Sequence, residues 1–370
     1  MNIQFLTTKT VDSNLNKIAD KILNLKRIST EDALYLYEKS ELAWLGMLSS
    51  FVREKFNEDR VYFNRNFHLE PTNICLYQCK FCSYKRKAGE DGSWEYTLDE
   101  ITEKVLAYKS TKVTEIHIVG GVHPQRDLHY YGQMMQRIKQ VLPHIHIKAF
   151  TAIELDYMIK KAGMSLMEGL QKLKSYGLNS IPGGGAEIFD PEVRKILCPE
   201  KSTGPRWLEV HEAAHNAGIP SNSTMLYGHI ETYQHRVSHM EKIRELQDKT
   251  QGFNAFIPLK YRKENNHISH IGEVSVVEDL KNYAISRLFF DNIPHIKAYW
   301  PMIGRETTRT ALSFGVDDID GTIDDSTKIY TMAGVNEPNA MTSSDMIELI
   351  RSAQKTPVES DTLYNVIEIF

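Results

Sequence analysis

Eight short β-prone runs recur between residues 61 and 322, and a longer stretch of helical period separates each from the next. They are VYFNRNFHLE (61–70), EIHIVGG (115–121), HIKAFT (146–151), NSIPGGG (179–185), SNSTMLYG (221–228), NAFIPLKY (254–261), HIKAYW (295–300) and VDDIDGT (316–322). Intervening segments such as TLDEITEKVLAYKS and HRVSHMEKIRELQDKT are apolar on one stripe and charged on the rest. Strand, helix, strand in repetition predicts a parallel sheet, because parallel neighbours need a crossover long enough to hold a helix. At 370 residues the natural α/β form is a closed (β/α)8 TIM-type barrel, complete or nearly so, and an open doubly wound sheet is the competing arrangement.

Three regions follow: an N-terminal helical extension (1–58), the barrel (59–330), and a C-terminal helix and tail packed on the barrel (331–370). No linker rich in Pro, Gly or Ser divides them. A net charge of -4 with balanced acidic and basic residues gives no field for a nucleic acid, so the expected partner is a small molecule. The first residues lack the basic and apolar regions of a secretory signal, and no run reaches membrane-spanning length; a cytoplasmic protein with no membrane partner is expected. Four cysteines in a chain this long argue against a disulfide framework and for metal or redox chemistry.

In a barrel of this kind the chemistry collects just after the strands. The sequence places Cys75, Cys79 and Cys82 after the first run, Gly120 and Gly121 after the second, and Thr151 and Glu154 after the third. Gly183, Gly184, Gly185 and Glu187 follow at the fourth, and Thr224, Tyr227 and His229 at the fifth. Lys260 and Arg262 end the sixth, Trp300 the seventh, and Asp317, Asp318 and Asp320 lie in the eighth. Glycines there let a backbone come close to a ligand, and carboxylates such as Glu154 and Glu187 are suited to accept hydrogen bonds from ribose hydroxyls.

Three cysteines spaced C-x3-C-x2-C, with Phe81 before the last, leave one corner of a 4Fe-4S cubane without a protein thiolate. The alternative is a structural zinc, for which Cys79-x2-Cys82 fits one half and a second pair is missing. Cys198 stands alone in KILCPEKS and reads as a buried thiol. HEAAH (211–215) matches a zinc-protease motif in form, but its helix lies between the fourth and fifth runs, on the outer ring, where packing is the expected role.

The cysteine pattern resembles that of the radical S-adenosylmethionine enzymes. The resemblance implies that S-adenosylmethionine chelates the open iron, and that one electron then breaks its C5′–S bond to give a 5′-deoxyadenosyl radical. It also implies an external low-potential electron donor of flavodoxin or ferredoxin type, and assigns Gly120 and Gly121 to the amino group of the methionine moiety. Val122 stands where that superfamily often has an acidic residue, leaving the task to backbone carbonyls.

FTAIE, SIPGGGAEIF, STMLYGHIET, GFNAFIPLKY, HIKAYWPMIG and FGVDDIDGTI jointly resemble the aminofutalosine synthase family of the futalosine route to menaquinone. The dehypoxanthine futalosine cyclases and the tyrosine-using enzymes of deazaflavin synthesis are similar. The resemblance implies addition of the adenosyl radical to the enol ether of 3-[(1-carboxyvinyl)oxy]benzoate, an aromatic dicarboxylate, with S-adenosylmethionine as co-substrate. Tyr227, His229 and Thr224 become candidate catalytic residues, and Lys260, Arg262 and Trp300 candidate substrate contacts, because all lie at strand ends. Ser360 replaces an arginine expected in the tail of these relatives. A cluster-binding sensor without turnover is the non-enzymatic alternative.

Overall fold

The computed structural model describes residues 10–323, 328–335 and 340–370; the first nine positions and 336–339, included in the expected terminal regions, lie outside the described residues. The first β-prone run divides at Arg65 into β1 (Arg60–Asn64) and β2 (Asn66–Leu69). Then come β3 (Glu115–Ile118), β4 (His146–Ala149), β5 (Ser221–Tyr227), β6 (Phe253–Lys260), β7 (His295–Ile296) and β8 (Asp318–Gly321).

The pairing runs round a circuit. β8 pairs with β1, the chain passes through Arg65 into β2, β2 pairs with β3, and β3 with β4. The fourth predicted run is not a regular strand: Ser180 bridges to Lys148 and Ile181 to Ser221, and there the pairing stops. Pro182 and the glycines behind it explain this, since Gly183 and Gly185 adopt φ of +89° and +88° and cannot continue a ladder. β5 pairs with β6, β6 with β7, and Lys297 bridges back to Asp318. Every link is parallel, which makes the fold a TIM-type barrel.

The tail packs on the barrel and carries two strands beyond the expected helix. After the helix Ser343–Ser352, residues Thr356–Ser360 (β9) pair in parallel with β1, and Val366–Ile369 (β10) fold back antiparallel on β9. This hairpin closes the N-terminal end of the barrel: Thr362 donates to Glu115 at 2.8 Å, and Tyr364 donates to Asp318 at 2.5 Å while stacking 3.5 Å above His295. Ser360 is buried beside them. The N-terminal helices Ser13–Leu23 and Thr30–Lys39 start at side-chain caps from Asp12 and Ser29. The Leu42–Asn57 helix then packs along the barrel helix Val276–Phe289.

Alternate residues of a strand face opposite sides. Ile116, Ile118, Ile147, Ala149, Met225 and Ile319 are buried beneath the surrounding helices. The inward set is polar: Asn66 and His68 on β2, Glu115 and His117 on β3, Lys148 on β4, Asn222 and Thr224 on β5, and Asp318 and Asp320 on β8. Barrels are ordinarily filled by branched aliphatic side chains. Here the lower interior is charged and the upper interior is open.

Candidate active site

The cysteine segment follows β2 and is fixed by main-chain bonds. Cys75 N–H donates to Arg86, Leu76 N–H to Val122, and Lys80 N–H to Leu197, at 3.0, 2.9 and 2.7 Å. The glycine turn after β3 packs directly on it. Gly121 N–H donates to Thr72 at 2.8 Å, and a Cβ on Gly121 would stand 2.3 Å from the carbonyl oxygen of Ile74. Glycine is required here chiefly so that two backbones can touch.

These segments open on one cavity, with about 1240 Å³ of non-atom space including its mouth. Cys75, Cys79, Cys82 and Phe81 line it from the loop after β2. Gly120, Gly121, Thr151, Gly184 and Gly185 line its walls. Ile257, Leu259, Thr224 and Tyr299 lead inward to a base of His117, Lys148, Asn222 and Asp320. The cavity therefore runs from the thiols into the polar interior of the barrel.

Burial pushes the Cys79 thiol up to about 12 and raises that of Cys75, while the ammonium of Lys201 works in the opposite direction. Burial opposes the charge of Lys201, yet Cys79 and Glu187 hold its pKa well above the ordinary lysine value. Its Nζ lies 2.6 Å from Glu187 and 5.3 Å from the centre of the Phe81 ring.

Residues 69–243 match the radical SAM superfamily, and residues 250–369 match the CofH/MqnC C-terminal region. The chain is 39% identical over 363 residues to the aminodeoxyfutalosine synthase of Thermus thermophilus, covering 97% of both chains. The chain belongs to the radical S-adenosylmethionine enzyme superfamily. It is also 35% identical to the 5-amino-6-(D-ribitylamino)uracil–L-tyrosine 4-hydroxyphenyl transferase of Methanothermobacter thermautotrophicus, over 97% of this chain and 99% of that one. In fold it is similar to methylornithine synthase (PylB), with a TM-score of 0.71 at 17% identity over 91% of this chain and 95% of that one.

Radical S-adenosylmethionine enzymes imply a 4Fe-4S cluster and bound S-adenosylmethionine, and the residues present fit both. Three cysteines share one wall of the cavity, and the half-buried ammonium of Lys201 lines it with them and opposes the effect of burial on Cys79, as an anionic cluster would need. Among the described residues no three His, Cys, Asp or Glu side chains converge on a single ion position. A cubane spreads its ligands over separate irons and does not need such convergence. Cys198 is buried outside the cavity, in a groove shared with Lys201.

The strand-end residues divide by which way they face. Thr151 and Thr224 line the cavity, Thr224 through a bond to the Gly183 carbonyl at 2.8 Å. Gly184 lines it and Gly183 does not; a Cβ on Gly183 would meet the Asn222 carbonyl oxygen at 2.2 Å. Glu154 caps the helix Ala152–Lys161, accepting from Thr151 and, at 3.1 Å, from Gly120 N–H, so it braces the glycine turn rather than lining the cavity. Glu187 likewise lies behind the wall, paired with Lys201.

Five expected contacts do not line the cavity. Tyr227 and Lys260 end their strands on the outward face, one residue out of phase with Thr224 and Leu259, and both bond Asp279, at 2.9 and 2.8 Å. His229 bonds the Leu226 carbonyl and lies 3.0 Å from Glu231. Arg262 pairs with Glu273 at 3.1 Å, and the indole N–H of Trp300 donates to Gly321 at 2.9 Å. Asp317 also faces outward, held by Arg287 and His295.

Lys201, in the loop between the helices Pro191–Leu197 and Gly204–Asn216, and Tyr299 after β7 were missed, since no strand pattern gives a signal for either. His68, His117, Lys148 and Asn222 were missed on the strands themselves. For the strand residues the signal was the alternation itself: NFHL, EIHI and HIKA place a polar residue at every second position. Strands buried on both faces ordinarily read as continuous apolar runs, so a polar inner face marks an interior that holds a ligand. The HEAAH histidines are packing residues: both bond Ser221 at 2.8 Å, and the His211 ring packs tilted against Trp207 with centroids 3.8 Å apart.

Proposed function

We propose that this enzyme joins the adenosyl group of S-adenosylmethionine to the enol-ether double bond of 3-[(1-carboxyvinyl)oxy]benzoate, giving 6-amino-6-deoxyfutalosine in menaquinone biosynthesis. The observation that carries the reading is one cavity that runs from three cysteines, past paired glycine turns, into a barrel interior large enough for a second small molecule. Identity of 39% across the whole length to an aminodeoxyfutalosine synthase supports it. Overall, the C5′–S bond breaks and methionine leaves, the adenosyl carbon bonds to the vinyl CH2, and a rearrangement exchanges the aryl–oxygen bond for an aryl–carbon bond and leaves a ketone. The enol carboxylate departs as carbon dioxide, or after hydration as bicarbonate with release of one proton, and the priming electron is returned. The exchange is redox-neutral, so an external flavodoxin- or ferredoxin-type donor supplies only the priming electron. Cytoplasmic location accords with this chemistry, and among the described residues no helix is long and apolar enough to cross a membrane.

Cys75, Cys79 and Cys82 would hold the cluster, and its open iron with S-adenosylmethionine would supply the electron and the reactive adenosyl carbon. Phe81 and Lys201 cover the cluster side, so that the ammonium offsets anionic charge where water is scarce. Gly120 and Gly121 present backbone polar groups toward the methionine moiety, and Glu154 keeps that turn in place. Thr151 and Gly184 flank the adenosyl position. Ile257, Leu259 and Tyr299 form an apolar waist that excludes water from an aromatic ring and from the reactive carbon.

Full-length similarity to the tyrosine-using transferase favours a second reading, in which the adenosyl group abstracts hydrogen and leaves as 5′-deoxyadenosine. Mass spectrometry of anaerobic reactions separates the two. The synthase reading expects adenosine carbon in the product of the enol ether; free 5′-deoxyadenosine as the stoichiometric product would sink it.

A further inference from the structure

At the base of the cavity the acceptors are already served from below. Glu115 takes Lys148 at 2.7 Å, Thr362 at 2.8 Å and Asn64 at 3.1 Å. Asp320 takes Gly321 N–H at 2.8 Å, and Asn66 and Lys297 at 3.1 Å each. Asp318 takes Tyr364 at 2.5 Å and Asp320 N–H at 2.6 Å.

Unused capacity facing the cavity lies with nitrogens and with the Tyr299 hydroxyl, while below it the Asn64 Oδ1 is unpartnered. Both ring nitrogens of His117 are buried and without a hydrogen-bond partner, and so is Nε2 of His68, a residue 3% exposed. The two rings are 4.4 Å apart, and His117 faces the cavity. Lys148 has three donors and bonds only one carboxylate. Burial lowers the pKa of both histidines, so each neutral ring offers one N–H donor and one acceptor nitrogen. Leaving such groups unpaired away from water is costly, and the two ring N–H groups beside the spare donors of the Lys148 ammonium suit an occupant that accepts hydrogen bonds and carries negative charge.

We propose that His117, His68 and Lys148 form a carboxylate-recognising subsite that seats the ring carboxylate of an aromatic acid at the base of the barrel. This inference rests on the enol-ether reading for its orientation. The double bond has to face the mouth, where the adenosyl carbon is delivered, so the benzoate carboxylate points inward. The apolar waist of Ile257, Leu259 and Tyr299 lies between the two ends and accommodates the ring.

The test is calorimetric binding of 3-hydroxybenzoate and its uncharged analogue 3-hydroxybenzamide to the anaerobically prepared holoenzyme. The natural chain should bind the acid and discriminate against the amide. His117→Leu should weaken acid binding by about tenfold or more, the effect of losing a hydrogen bond to a charged group. His117→Gln, which retains one donor, should stay within about threefold by the same reasoning. His117 has no protein partner to orphan, and iron content per chain checks that each variant is folded and loaded. Equal binding of the acid by the natural chain and His117→Leu, or no discrimination against the amide, overturns the subsite. If the enol ether still yields adenosylated product in that case, the functional reading stands without it. Absence of both acid binding and adenosylated product overturns both.

Discussion

The Lys201 ammonium lies 2.6 Å from the Glu187 carboxylate and acts on Cys79, so one half-buried cation serves a loop after the glycine turn and the cysteine segment together. Glu187 holds its place at a φ of +50°, in the left-handed region that few glutamates occupy. Lys201→Met would leave that carboxylate buried without its partner, a loss of roughly 3 kcal/mol for a broken buried pair. The expected outcome is a lower unfolding midpoint and reduced iron content. A variant with natural stability and full iron would show that Lys201 matters to neither.

The cysteines should separate three to one. Cys75, Cys79 and Cys82 line the cavity and Cys198 does not. Alanine at any of the first three should abolish the brown colour of anaerobic protein and its acid-labile sulfide, whereas Cys198→Ala should keep both. Equal loss in all four, or one zinc in colourless protein, contradicts the ligand assignment.

Gly121 tests the contact between turn and cysteine segment. Its added Cβ would lie 2.3 Å from the Ile74 oxygen and 2.7 Å from the Ile74 carbonyl carbon, both backbone atoms that cannot step aside alone. Gly121→Ala should cost roughly 1–3 kcal/mol in overpacking and lower the cluster occupancy. Gly89→Ala is the comparison: nothing lies within 4 Å, and only the strain of its φ of +77° is paid. Chemical denaturation and iron content of the two variants should rank Gly121→Ala as the worse on both measures.

The barrel and the grouping of three thiols on one cavity wall were legible in the sequence because each has a local signal: recurring strand and helix periods, and three cysteines within eight positions. Two features were not. The β9–β10 hairpin depends on pairing with β1 almost 300 residues earlier, and TPVES carries little alternation to announce it. The facing of Tyr227 and Lys260 depends on strand register, where a shift of one residue turns a side chain from the cavity to the helix layer. Thr224 and Lys148 stood on the inward phase of their strands, and reading NFHL, EIHI and HIKA by parity would have placed the polar floor correctly.

Tyr364 closes that floor from the tail. Its hydroxyl bonds Asp318, and its ring stacks on His295 and meets Tyr62 edge-on. Tyr364→Ala removes a stacked, half-buried ring and the bond to a buried carboxylate, a loss of roughly 2–4 kcal/mol. Tyr364→Phe keeps the stacking and should lose about 1–2 kcal/mol. Urea denaturation of the pair gives both values, and equal losses would show that the ring contributes nothing beyond its hydroxyl.

Glu154 gives a pH dependence with a definite sign. Burial raises its pKa from the ordinary 4.5 to about 7, against the bonds from Thr151 and Gly120 that favour the ionised form. Between those values the unfolded chain has released the proton and the folded chain still holds it. The folded state thus binds more protons, and its stability falls as pH rises from 4.5 to about 7, then levels off. The full change is about 3 kcal/mol at 1.36 kcal/mol per pH unit. Glu154→Gln cannot titrate, so the stability difference between natural and variant protein should shrink by about 2 kcal/mol of that total from pH 5 to pH 7.5, measured by denaturant midpoints. A difference independent of pH would mean that the Glu154 carboxyl is already ionised when folded and that its bonds to the turn outweigh its burial.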